Sequence, residues 1–321
     1  MVSKKWFVGV DIGGTTIKLA FVTLDGDIVT KWEIPTNKID DGKHITSDIA
    51  RAIEEKREEL GVTNDALKAI GLGAPGFINM ESGFIYHAVN IGWKNFALKD
   101  ELEKETGLSV TVDNDANIAA LGEMWRGAGD EAKNLLCVTL GTGVGGGVIV
   151  NGQILHGVNG MAGEIGHLTS ITDESGAPCN CGKTGCLETI ASATGIARLA
   201  MEGVQKQPDS ILQTVFERQG TLTAKDVFDA VKAEDELAKS IIDEISFHLG
   251  LALANLANAL NPEIIVLGGG VSKAGDLLMN PLKEQFKCFA LPRVEEGCKF
   301  RIATLGNDAG VIGGAWLAKQ G

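Results

Sequence analysis

The sequence predicts an α/β protein made of two lobes built alike, and three observations carry that expectation. A pattern of three short strands and two turns occurs twice. Strand-like and helix-like segments alternate around and after the two copies. The length, 321 residues with 44% hydrophobic content, favours two cores over one. The first copy reads WFVGVDIGGTTIKLAFVTLDGDIVTKWEI, with a glycine-rich first turn and Asp25-Gly26 as the second. The second copy, from Leu135, reads LLCVTLGTGVGGGVIVNGQIL, with Asn151-Gly152 in the matching place. Asp-Gly and Asn-Gly between alternating apolar runs are hairpin signals, because both central residues of a type I′ turn take positive φ.

The remaining elements follow in order. His44 to Leu60 carries Ile45, Ile49, Ile53 and Leu60 at helical spacing and stops at Gly61. KAIGLGAPG is a strand running into a turn of glycine and proline. SVTVDNDAN is a strand that leads directly into a helix, ANIAALGEMWRG. Thr223 to Leu260 reads as two or more helices halted by Asn261-Pro262, and EIIVLGGG after them as a buried strand ending in glycines. The last helix, Asp308 to Lys319, is rich in Gly and Ala and is expected to pack closely against a neighbour. Such alternation implies mixed or parallel sheets with helices over their faces.

Composition narrows the class of function. A formal charge of −13 argues against a surface that concentrates Lys and Arg on phosphates, so nucleic acid is not an expected partner. No apolar run reaches the roughly 20 residues that span a bilayer, so no membrane partner is expected either. The start MVSKKWFVGVDIGG has neither a long apolar region nor a small-residue cleavage site, and the expected location is the cytoplasm.

The densest chemistry lies in GHLTSITDESGAPCNCGKTGC. His167, Cys179, Cys181 and Cys186 are four soft ligands suited to a closed tetrahedral zinc site, and Gly182 and Gly185 let the backbone fold back around one ion. The plainer role for the thiols is packing as small core hydrophobes, yet the surrounding Gly, Pro, Asn and Ser cannot form a core. Glu164 and Glu188 bracket this loop, where a rigid loop holds carboxylates in a pocket. Cys137, Cys288 and Cys298 sit alone and are expected as packed thiols.

Three glycine-rich segments are suited to phosphate. Gly141 to Gly146 satisfies G-x-G-x-x-G, but the segment that follows is a strand and not the helix a pyrophosphate site needs. GVDIGGTT lacks the Gly-Lys-Ser/Thr ending of a P-loop. As a matched pair, however, the two turns offer backbone N–H groups and the Thr15 and Thr142 hydroxyls to a triphosphate from two sides. Asp11 beside the first turn is placed to hold magnesium through water.

DIGGTTIK, the GAPG turn, DNDAN, LGTGVGGG, GEIGH, CNCGKTGCLE and IVLGGG stand in the order and spacing of the ROK family. Nearly the whole chain resembles its zinc-containing bacterial glucokinases, in particular those of Gram-positive, Bacillus-type bacteria. The resemblance implies the two-lobed sugar kinase, Hsp70 and actin (ribonuclease H-like) fold with an interlobe cleft, its small lobe at residues 1–112 plus 308–321 and its large lobe, with the zinc loop, at 113–307. It implies ATP-dependent phosphorylation of glucose at C6, with Mg2+ accompanying the nucleotide, a structural Zn2+, and a homodimer.

By the same resemblance Asp115 is the catalytic base, and Asn114, Glu164, His167 and Glu188 bind the sugar, with Gly76 and Asn90 on the other wall of its pocket. His167 is also a zinc ligand through its other ring nitrogen. Asp11, Gly13, Gly14, Thr15, Thr16, Lys18, Gly141, Thr142 and Gly143 fall to the phosphates and magnesium, and Gly268, Gly269 and Gly270 to the adenosine. The bland role for Asp113, Asn114 or Asp115 is to cap the helix that follows. Trp93 is expected in the core. A kinase for another sugar, such as N-acetylmannosamine or fructose, is the nearest alternative. A sugar-responsive regulator of the same family ranks below it, since its N-terminal helix-turn-helix has no room before a first strand starting by Trp6. A chaperone or actin-like ATPase is disfavoured by the zinc loop.

Overall fold

The computed structural model describes residues 5–321. The chain begins with β1 (Trp6–Ile12), β2 (Thr16–Thr23), β3 (Ile28–Pro35), α1 (Ile45–Glu59) and β4 (Leu67–Ala74). The short strands β5 (Phe77–Asn79), β6 (Phe84–Ala88) and β7 (Trp93–Phe96) form a small sheet of their own, followed by α2 (Leu98–Thr106), β8 (Ser109–Asn114) and α3 (Asp115–Arg126). Then come β9 (Leu135–Leu140), β10 (Val144–Val150) and β11 (Gln153–Ile154). The helices α4 (Glu188–Ala191), α5 (Ala193–Val204), α6 (Ile211–Gln219), α7 (Ala224–Lys232) and α8 (Glu236–Leu260) lead to β12 (Ile264–Gly268). The chain ends with α9 (Asp276–Phe289), α10 (Pro292–Gly297), β13 (Lys299–Ile302) and α11 (Ala309–Gln320).

The repeat seen in the sequence extends further in the structure. One sheet runs β3-β2-β1-β4-β8 and the other β11-β10-β9-β12-β13, so the first-laid strand of each lies between its hairpin partner and two later strands. Both added strands are parallel in each case: β1 with β4 and β4 with β8, then β9 with β12 and β12 with β13. Strands buried on both faces read as continuous apolar runs, as in Ile264–Gly268, every residue of which is buried. The edge strand β3 instead alternates half-buried and exposed residues.

One hairpin differs from the expectation. Asn151 and Gly152 both take positive φ, 53° and 81°, as a type I′ turn requires. At Asp25-Gly26 only Gly26 does, with φ 93°. There the Gly26 N–H donates to the Thr23 carbonyl and the Thr23 N–H to the Asp27 carbonyl, so the loop is longer and needs a single left-handed residue.

Helix limits follow their caps. Thr223 and Asp226 form a capping box at α7, and Asp235 accepts from the Ala238 N–H at the start of α8. Asn261, left-handed at φ 48°, ends α8 before Pro262. Trp93 is core, 1% exposed, with its indole N–H donated to the Gly42 carbonyl at 3.0 Å.

The described chain falls into two compact units. The first holds residues up to Glu131, Gly147–Ala162 and Leu305–Gly321; the second holds Ala132–Gly146 and Gly163–Thr304. In this division α3 falls with α11 in the first unit, the two helices meeting backbone to backbone. A Cβ on Gly313 would lie 1.6 Å from the Ile118 carbonyl oxygen, and one on Gly122 2.1 Å from that of Ala309. On its other side α11 meets β1 and β4 the same way, with Gly9 and Gly71 facing the Val311 and Gly314 carbonyls at 1.8 and 1.9 Å by the same measure.

Gly313→Ala is expected to lower unfolding free energy by about 1–3 kcal/mol or more, since neither helix backbone can yield without moving a sheet. Gly297→Ala, which meets nothing within 4 Å, should change it by no more than about 0.5 kcal/mol. Chemical denaturation of the two variants beside wild type checks the contrast.

Candidate functional site

In the first unit, the turn between β1 and β2 is closed by the Gly13 N–H on the Thr16 carbonyl at 3.1 Å. Asp11 and Lys18 are cross-strand partners below it, with Nζ 3.7 Å from Oδ2. Burial pushes the Asp11 carboxyl above its ordinary pKa, and Lys18 opposes that rise. Thr36 docks the next segment on the turn, its Oγ1 donating to the Gly13 carbonyl at 2.7 Å and its N–H to that of Thr15 at 2.9 Å. Asn90 reaches the same place: its Cβ is 3.6 Å, and the Lys38 Nζ 3.8 Å, from where a Cβ on Gly14 would sit. Lys38 was not legible as a member of this cluster. Gly76 stands apart from the turn, at φ 102°, with the His87 carbonyl where a Cβ would be.

The DNDAN junction is also within the first unit. Asn114 performs the capping role, its Oδ1 accepting from the Ala116 N–H at 2.8 Å. Asp115 opens α3 with its residue exposed. Asp113, 1% exposed, accepts from the Asn114 N–H, from Asn117 Nδ2 at 2.8 Å and from His156 Nε2 at 2.7 Å. The bond to Asp113 raises the His156 pKa, against the lowering effect of burial. No motif marks His156, since only the fold brings it to a residue so distant in sequence.

In the second unit, one ligand atom from each of His167, Cys179, Cys181 and Cys186 lies within 4.8 Å of all the others. The Cys181 and Cys186 sulfurs are 3.6 Å apart, and the Cys179 sulfur is 3.5 Å from His167 Nδ1. A zinc tetrahedron with bonds of about 2.3 Å to sulfur and about 2.0–2.1 Å to nitrogen has edges of about 3.8 and 3.6 Å. The donor set and its spacing therefore fit structural zinc. Burial pushes the Cys179 thiol up to about 12 and Cys186 upward, while the Lys183 N–H lowers Cys181. The backbone is folded back as expected: the Cys179 N–H donates to the Lys183 carbonyl at 2.8 Å, and Gly185, at φ 69°, lets Ile171 approach to where a Cβ would be. Cys137 is buried and Cys298 partly so, whereas Cys288 is exposed and is not the packed thiol expected.

Glu188 joins two motifs that the sequence kept separate. Its Oε1 is 3.1 Å from the Cys179 sulfur and its Oε2 3.4 Å from the Val144 N–H. That second oxygen also occupies the space a side chain on Gly143 would need, 2.5 Å from its Cβ position. Gly141 and Thr142 are anchored through their carbonyls to the Ala193 N–H at 2.8 Å and Thr194 Oγ1 at 2.7 Å. Glu164 lies 3.8 Å from His167 Nε2, the ring nitrogen turned from the sulfurs. Gly268 ends β12, Gly269 is left-handed at φ 83°, and Gly270 lines a cavity of about 450 Å³ with Ala193, Thr223, Phe228, Val271 and Lys273. That the start of α7 shares this cavity, through Thr223, Ala224 and Lys225, is not legible from any motif.

No helix among the described residues is long and apolar enough to cross a membrane. The ROK family profile matches residues 7–321. The glucokinase of Halalkalibacterium halodurans is 66% identical over 318 residues, 99% of this chain and 96% of that one. A ROK family glucokinase from Streptomyces griseus, solved with glucose and AMPPNP, superposes with a TM-score of 0.77 at 33% identity, covering 98% of this chain and all (100%) of the other. A ROK family transcriptional regulator, a homologue of the E. coli MLC protein, superposes with a TM-score of 0.85 at 29% identity over 99% of this chain and 78% of its own.

Purified protein is expected to carry about one zinc per chain by metal analysis, and Cys181→Ser, which exchanges a thiolate for a protonated hydroxyl, to lose it with a lowered melting temperature. For His156 the folded pKa is raised above its ordinary 6.5, so its bond to Asp113 stabilises fully below that value and fades as pH rises through the folded one. The stability margin of wild type over His156→Gln should shrink accordingly between neutral and alkaline pH in parallel denaturation curves.

Proposed function

This chain belongs to the ROK family, and from that premise we propose that it is a glucokinase, transferring the γ-phosphoryl group of ATP to the C6 hydroxyl of glucose to give glucose 6-phosphate and ADP. One observation supports it above the rest: an exposed carboxylate, Asp115, opens a helix beside a capping asparagine in a chain 66% identical to a glucokinase. Sugar phosphorylation needs a base at the attacking oxygen and cations or N–H groups around the transferred phosphoryl.

Asp115 takes the proton of the C6 hydroxyl as that oxygen attacks the γ-phosphorus and ADP departs. Asn114 has its Oδ1 engaged by the Ala116 N–H, which leaves its Nδ2 to donate to a sugar hydroxyl. Gly76 and Asn90 are further sugar-binding residues of the first unit. In the second unit Glu164 and Glu188 accept from sugar hydroxyls. His167 turns Nδ1 to the sulfurs, so Nε2 carries the ring proton and donates outward. Zinc, when bound, fixes the loop and this tautomer.

The phosphates fall to the turn of Gly13, Gly14, Thr15 and Thr16 with Lys18, and to Gly141, Thr142 and Gly143. Magnesium, bound with the nucleotide, would neutralise phosphate charge, with Asp11 the residue to hold it through water. The cavity beside Gly268, Gly269 and Gly270 suits the adenosine. A cytoplasmic location is supported by the metal-type use of cysteine, and a homodimer by family habit.

Asp115→Asn keeps the shape but cannot accept the proton. Turnover should fall by about 10²–10⁴ while glucose binding by calorimetry persists. Turnover within about tenfold of wild type would remove the assignment. Thr15→Ala or Thr142→Ala should raise the KM for ATP more than that for glucose. A panel of hexoses and N-acetylhexosamines tests the substrate: faster turnover of N-acetylmannosamine or fructose would reassign the sugar, and none on any sugar would leave a sugar-binding regulator.

A further inference from the structure

We propose that His156 is a positioning residue for the sugar-accepting end of the reaction: bonded to the buried Asp113, it fixes the β8–α3 junction that presents Asn114 and Asp115. This rests on the reading of Asp115 as the base. Among the described residues β8 is the outermost strand of its sheet, paired to β4 up to Ala74 opposite Asn114, with no ladder partner on its other side in that sheet. At that end, laddered on one side only, the chain turns from strand to helix within one residue, Asn114 to Asp115.

α11 sets where α3 lies, and the Asp113 carboxylate adds a side-chain restraint at the junction itself. Its Oδ1 gathers the Asn114 N–H and the Asn117 amide from the first turn of α3, and its Oδ2 takes His156 Nε2 at 2.7 Å. The donors thus come from the junction itself, from the helix and from the segment after β11. His156 is the one of the three that can carry charge, and it answers a carboxylate 1% exposed. Remove that donor and a buried carboxylate oxygen loses its partner, so Asp113 must turn toward water and take the junction with it. A shift of about 1 Å in a reacting group is enough to slow chemistry by about 10²-fold. His156 acts through Asp113 and needs no contact with substrate.

Two substitutions separate this role from simple support of the fold. His156→Leu keeps bulk and removes the donor; His156→Gln keeps a donor. Leucine is expected to lower kcat by about 10–100-fold with the KM for ATP within about twofold of wild type, and glutamine to restore most of kcat. Unchanged kcat in the leucine variant, or equal impairment by leucine and glutamine, overturns the proposal, as does a KM for ATP that rises in step with the loss of kcat. Should the leucine variant not fold, Asp113→Asn, which weakens the bond from its other end while keeping its shape, is judged by the same split. Asp115→Asn as reference keeps the two claims apart. Activity surviving there removes the base assignment, whereas an inactive Asp115→Asn beside a fully active His156→Leu removes only the positioning role.

Discussion

The contact on which the first unit depends is a close approach of backbones at four glycines. α11 lies against β1, β4 and α3 through Gly9, Gly71, Gly122 and Gly313, each facing a backbone carbonyl at a distance no Cβ could share. Backbone surfaces that meet in this way leave no rotamers to readjust at those points, and Trp125 of α3 packs on Trp316 of α11 beside them, ring centroids 5.0 Å apart. Two groups of the candidate site inherit that precision. Asp115 begins α3, and Asp11 lies under the start of α11, its carboxylate 2.7 Å from where a Cβ on Gly310 would be.

In the second unit the corresponding constraint is the knot around His167 and the three cysteines. Its consequence runs through Glu188, whose two oxygens face different partners, the Cys179 sulfur and the Val144 N–H. The sequence suggests a zinc loop and a phosphate-type turn that act independently. The structure makes Glu188 a neighbour of both, one oxygen 3.1 Å from the Cys179 sulfur and the other 3.4 Å from the Val144 N–H.

The β8–α3 junction shows a division of labour among three adjacent polar residues. Asp113 points inward and is fully bonded, Asn114 caps the helix, and Asp115 is exposed. Strand alternation alone would place Asp113 and Asp115 on the same side, but the change to helix at Asp115 breaks the alternation. That break leaves Asp113 buried among its donors and Asp115 at the surface, where its Oδ1 also accepts from the Ala116 N–H at 2.8 Å.

The α/β class, the two related hairpins, most helix ends and the zinc ligands were legible because each is a local property: apolar periodicity, turn residues at fixed offsets, caps, and thiols among residues that cannot build a core. Membership in the ROK family was legible too, through motifs that stand in order along the chain. Beyond sequence reach were features made by residues distant along it. The pairing of His156 with Asp113, the approach of Lys38 to Gly14, the reach of Glu188 to Val144 and the share of α7 in the cavity beside Gly270 leave no periodic trace. The Asp25-Gly26 turn was misjudged because the dipeptide permits left-handed backbone at both positions, while the length of the loop, fixed by the strands it joins, called for it at only one. Local chemistry determined which residues had the capacity to act; the packing of α11 on α3 and the folding back of the metal loop decided which of them meet, because contacts between distant segments form only when backbone surfaces fit.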